Sequence, residues 1–129
     1  MKLILGFFLA LISLGCFGQN SFDCSEVKTG KFKSSNEVSG VTIIKRTKKY
    51  QIEINKKYNY KAKFKIVWID DCTYELREKK LIKGPNQLKG NSGDVLKVKI
   101  IWIKKGVMKV NLTSNYSESV QEVEIEIIN

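Results

Sequence analysis

From Tyr60 to Ile69 the chain alternates with a period of two. Tyr60, Ala62, Phe64, Ile66 and Trp68 fall on one face, and Lys61, Lys63 and Lys65 on the other. A helix would mix these lysines and aromatics on the same faces, so the pattern demands a strand buried on one side, as in an antiparallel sheet. Two further stretches repeat it. Leu96, Val98, Ile100 and Trp102 oppose Lys97 and Lys99, and Val123, Ile125 and Ile127 oppose Glu122, Glu124 and Glu126. No segment sustains a helical period.

Shorter runs complete the set. Phe32 lies between Lys31 and Lys33 in the stretch from Gly30 to Ser34. Val41 to Arg46 and Tyr50 to Asn55 flank a hairpin turn at Thr47-Lys48-Lys49. Asp70-Asp71 breaks the long run, and Thr73 to Arg77 returns with Tyr74 and Leu76 facing inward. Lys104-Lys105-Gly106 separates two more strands, with Gly106 suited to a tight reversal. The only proline falls between Lys83 and Asp94, which reads as the longest loop, and Asn115 to Ser119 forms the final turn. The prediction is all-β: an antiparallel up-and-down meander of about eight strands, curled into a small barrel or near-barrel. Closure would set Lys31 and Lys33 of the first strand against Glu122, Glu124 and Glu126 of the last. The alternative is that these glutamates mark a solvated edge.

The N-terminus bears on compartment and cysteine chemistry. Met1-Lys2 precedes an apolar run from Leu3 to Leu14, and Cys16-Phe17-Gly18 offers small residues at a cleavage site. This reads as a secretory signal peptide over residues 1–18, a signal helix removed by cleavage, leaving residues 19–129 as a single β-barrel-like domain. The expected location is secreted or periplasmic. Lipid attachment at Cys16 is the lesser alternative, because Ser13 and Leu14 depart from the usual lipobox. Of three cysteines, Cys24 and Cys72 would remain, an even pair in an oxidising compartment. A bridge between them would close a loop of about 50 residues and contribute about 4 kcal/mol. Free thiols are the alternative; two cysteines and no histidine are too few for a zinc site.

Charge points to partners. The chain has 23 Lys and Arg against 13 Asp and Glu, a net of +10, yet Arg46 and Arg77 are the only arginines. Lysine acts as a solvated point charge where arginine grips phosphate in a fork. Nucleic acid is therefore not the expected partner, and a monomer with a soluble lysine-rich surface is.

Two blocks carry a resemblance. Cys24-Ser25-Glu26-Val27-Lys28-Thr29-Gly30-Lys31-Phe32 and Ile66-Val67-Trp68-Ile69-Asp70-Asp71-Cys72-Thr73-Tyr74-Glu75-Leu76, with Arg46, Gln51 and Glu53 between them, resemble a group of small exported bacterial proteins. Many of that group bear the label "DNA topoisomerase IV". The resemblance covers roughly the first half of residues 19–129, departs at Ser34-Ser35, and stops at Lys83. It implies a secreted β protein with Cys24 paired to Cys72. It does not imply topoisomerase activity, which needs a large DNA-gating scaffold and an ATP domain. The strand order also resembles a small lipocalin-like barrel, with Gly30-x-Phe32 nearest to the usual Gly-x-Trp opening.

The sequence offers no catalytic set. There is no histidine base, no phosphate-binding glycine loop and no serine nucleophile elbow. Asp70-Asp71 reads as a turn. Arg46, Gln51 and Glu53 fall on neighbouring strands, as either a hydrogen-bonded polar cluster or, on the favoured reading, three ordinary surface residues. Tyr60, Phe64, Trp68, Tyr74 and Trp102 are expected inside, as core filling ahead of a pocket lining. The expectation is an exported, non-enzymatic binding or structural module without cofactor or metal, with a small apolar molecule as its possible ligand. The alternative is a lysine-rich protein that binds anionic polymers or membranes through Lys61, Lys63, Lys65, Lys97 and Lys99.

Overall fold

The computed structural model describes residues 22–129. The signal segment 1–18 and the lipidation alternative at Cys16 lie outside the described residues. Eight strands follow a short 3-10 turn at Cys24–Val27. They are β1 (Gly30–Asn36), β2 (Gly40–Arg46), β3 (Tyr50–Asn55), β4 (Tyr60–Asp70), β5 (Thr73–Lys83), β6 (Leu96–Lys104), β7 (Val107–Ser114) and β8 (Gln121–Ile127). Each pairs antiparallel with the next, and β8 returns to β1, closing the barrel. Gly106 takes a φ of 76° in the β6–β7 turn, where its lack of a Cβ removes the usual penalty.

Period two fixes the inward face. Phe32 pairs with Ile44, Arg46 with Gln51, Ile66 with Leu76 and Val98 with Leu112. The closing charges meet in part: Lys33 lies opposite Glu126, 3.9 Å from it, whereas Glu122 pairs with Lys109 of β7. Four register shifts interrupt the pairing, three between β4 and β5 and one between β6 and β7, and two of them decide where Lys79 and Trp102 point. Glu78 and Lys79 together oppose Phe64, with Glu78 at a φ of 50°, and β5 runs on to Lys83, past the predicted end at Arg77. On β6 the pairing jumps from Ile100–Val110 to Trp102–Lys109. The extra residue, Ile101, turns Ile103 inward toward Met108 and Trp102 outward.

The two ends of the barrel differ. At one, the Cys24–Val27 turn covers the opening, with Cys24 and Val27 buried among Phe32, Met108 and Val110. Cys24 and Cys72 are bonded there, Cα atoms 5.3 Å apart, tying the covering turn to the β4–β5 hairpin. The β1–β8 seam is also here, at Phe32–Ile127 and Lys33–Glu126, extended by Ile128 N–H donating to the Lys31 carbonyl. At the other end β1 and β8 part, and β5 pairs with β6 only from Thr73 to Leu76. The segment between β5 and β6 crosses that side, with a single 3-10 turn at Asn86–Leu88.

Candidate functional site

The floor of the barrel interior is a polar network. Arg46, 4 % exposed, sits at the inward end of β2, and its guanidinium lies over the rings of Phe32 and Tyr74 at 4.6 and 4.5 Å. Its Nε donates to Gln51 Oε1 at 3.0 Å, and Nη2 donates to the same oxygen at 2.9 Å and to Tyr74 Oη at 2.8 Å. Nη1 donates to the Val27 carbonyl at 2.6 Å, fastening the covering turn to the barrel. Gln51 Nε2 then donates to Glu53 Oε2 at 3.0 Å. A buried guanidinium needs partners, and here each of its three nitrogens donates to a neutral acceptor, four hydrogen bonds in all. The reading of these three as surface residues is therefore corrected. Arg46 and Gln51 are interior because β2 and β3 place them at inward parity, opposite one another.

Glu53 is the next step out from the floor. Burial pushes its carboxyl above the usual carboxylate range, opposed by the Gln51 hydrogen bond and by the charges of Lys79 and Arg46. Only the Gln51 bond holds it among the described residues. Tyr74 is likewise pushed up by burial, with Arg46 pulling the other way.

Above this floor the barrel is hollow. A cavity of about 260 Å³ has an apolar wall that includes Leu76, Leu96, Val98 and Val123, and a polar side of Ser34, Thr42, Gln51 and Glu53. Ser39 and Thr42 also line a second space of about 510 Å³ at the mouth, with Asn55, Tyr58, Tyr60, Lys79 and Leu88. Asn55 braces the junction: its Nδ2 donates to the Ser39 carbonyl at 2.8 Å and to Thr42 Oγ1 at 3.1 Å, and its Oδ1 accepts from Tyr58 N–H. Lys79 reaches the mouth because of the β5 bulge, its Nζ 5.1 Å from the Tyr60 ring and 5.6 Å from Phe64. Burial lowers the Lys79 pKa, while Glu53 and Asp94 act to raise it. Tyr60 is pushed up by burial.

The five aromatics separate. Phe64 and Tyr74 are core, Trp68 packs on that core with its ring 4.8 Å from Tyr74, and Tyr60 lines the mouth. Trp102 is a correction: the Ile101 bulge turns it to the outer face, between Lys104 and Lys109, whose ammonium groups lie 5.1 and 5.8 Å from its ring. Asp70 serves the turn, its Oδ1 accepting from Cys72 N–H at 2.9 Å, and that bond holds its pKa low. Cys72 and Cys24 are joined to each other. Among the described residues no three His, Cys, Asp or Glu side chains gather as a cation-binding set.

Sequence reasoning missed the polar lining. Ser34, Thr42 and Asn55 stand at inward parity on β1, β2 and β3, so polar residues at expected core positions were the available signal. Lys79 had no such signal, since a bulge decides its direction. Searches against protein-family models, curated proteins and solved structures find no match to this chain.

Proposed function

We propose that this protein is a non-enzymatic binding module that holds a small, mainly apolar molecule in the open half of its barrel. The observation that carries this reading is the interior cavity of about 260 Å³, apolar on one wall and continued by the mouth space at Ser39 and Thr42. Together the two spaces reach the size at which proteins hold small ligands, with a mixed polar and apolar lining inside and a mainly apolar one at the mouth. Gln51 and Glu53 would orient a hydroxyl, amide or amine on such a ligand, and the apolar wall would take its body. The absence of histidine from the sequence and the commitment of both described cysteines to a bridge support a binding rather than a catalytic role.

The test is titration with an environment-sensitive hydrophobic probe, comparing the parent chain with Leu112→Trp. Leu112 is a half-buried residue on the cavity wall, so a larger ring there fills space without replacing a fully buried side chain. Saturable binding should weaken at least about tenfold in the variant, the loss of roughly 1.4 kcal/mol of contact. Equal binding by both proteins would remove the cavity as the site.

A further inference from the structure

The outer face of β4 and β5 sets cation against cation. Lys61 lies opposite Lys83, Lys63 opposite Lys80 and Lys65 opposite Arg77. Like charges directly across a strand pair destabilise a sheet. Acids relieve one end, where Glu78 lies 3.7 Å from Lys65 and Glu75 pairs with Arg77. Lys61, Lys63, Lys80 and Lys83 form no ion pair among the described residues. Elsewhere cation meets cation once, at Lys31 opposite Lys45, and the other lysines named here are balanced or diluted. Lys97 faces Glu75, Lys99 faces Thr73, and Lys33 and Lys109 each meet a glutamate.

Apolar side chains border this column. β3 turns Tyr50, Ile52 and Ile54 outward, opposite Lys65, Lys63 and Lys61, and Val41 on β2 extends the strip. Tyr50 and Val41 are 43 % and 46 % exposed. The Lys63 ammonium lies 4.0 Å from the centre of the Tyr50 ring, a cation–π contact that sets charge and apolar surface side by side. A partner for this face must offer negative charge and also hydrocarbon. A soluble polyanion offers the first alone; a bilayer with acidic headgroups offers both, and its diffuse charge suits lysine better than arginine. We infer that the outer face of β2–β5 is a docking surface for an anionic lipid bilayer. This surface is separate from the cavity, and its test does not depend on a ligand being held there.

The experiment is co-sedimentation of the full chain with vesicles of phosphatidylcholine and phosphatidylglycerol, read as the excess over phosphatidylcholine alone. That difference cancels any contribution of the apolar residues 3–14. The triple variant Lys63→Gln, Lys80→Gln, Lys83→Gln should lose about a hundredfold in affinity, about fivefold for each charge. Its melting temperature should hold or rise, because repulsion is relieved. Lys97→Gln with Lys99→Gln should change binding by less than about twofold if only the β2–β5 face touches the bilayer. Ile52→Thr with Ile54→Thr should weaken vesicle binding several-fold and leave retention on heparin unchanged. No excess binding to the anionic vesicles overturns the assignment, as does an equal loss from the Lys97 and Lys99 changes. Heparin binding as tight as vesicle binding, with Ile52 and Ile54 irrelevant, overturns it in favour of a polymer.

Discussion

The covered end of the barrel and the open end are built from the same strands, but β1, β2 and β3 change their inward side chains to polar ones at the open end while β5 to β8 keep an apolar wall. At the covered end the inward positions are Phe32, Tyr74, Ile100, Met108 and Val110, and the one charge, Arg46, has four hydrogen bonds that close it off. At the open end the same strands turn Ser34, Thr42 and Asn55 inward, and the neighbouring strands draw apart. The lesson is a division of labour. A barrel this small secures its fold at one end by packing, a disulfide and a satisfied guanidinium, which frees the other end to stay hollow.

The largest effect should come from breaking the covered end at its charge. Arg46→Leu leaves the Val27 carbonyl, Gln51 and Tyr74 Oη without their donor, and should cost about 3–5 kcal/mol in urea unfolding, as removal of one partner from a buried charged network does. A loss under about 1 kcal/mol would mean that the network is not what holds the covering turn. Next comes the staple. Reduction, or Cys24→Ser, should lower stability by about 2–5 kcal/mol because the bond closes a span of 48 residues. Probe binding at the open end should survive wherever the domain stays folded, and its loss in the folded variant would join the two ends that the comparison separates.

Smaller changes sharpen the contrast. Trp102→Ala should cost under about 1 kcal/mol by thermal melting, against about 3–5 kcal/mol for Phe32→Ala in the packed end. Similar costs for the two would place the Trp102 ring inside after all. The smallest effect concerns Glu53. Its folded pKa is raised, so the native state holds its proton more tightly than the unfolded chain. Its contribution is therefore fully present below the unfolded carboxyl pKa and is lost as pH rises through the folded value. Glu53→Gln should remove that decline and make the protein more stable at neutral pH than its parent. A variant less stable at neutral pH would show that the ionised carboxylate supports the fold.

Much of this division could be read in the sequence, and the exceptions have a common cause. Alternation in β4, β6 and β8 gave the strands, their inward faces and the meander, because a period of two follows from strand geometry alone. It failed where a bulge adds a residue. Ile100-Ile101-Trp102-Ile103 is apolar throughout, so nothing in those four letters marks the residue at which parity changes. Lys79 escaped notice for the same reason on β5. Arg46 and Gln51 were legible in position but not in burial. An arginine is interior only when its acceptors are supplied from afar, and Val27 and Tyr74 lie 19 and 28 residues away in sequence. The hollow was hidden because strand number sets a barrel's width, while emptiness depends on the size of the side chains that meet across it.

Native-state hydrogen exchange across the barrel tests the division most directly. Amides of Phe32, Tyr74, Ile100 and Val110 should exchange only through global unfolding. Those of Ser34 to Asn36, Arg77 to Lys83 and Gln121 should exchange through smaller openings and gain protection when a cavity ligand is bound. Uniform protection at both ends, unchanged by a saturating probe, would contradict the claim that one end holds the fold and the other holds the ligand.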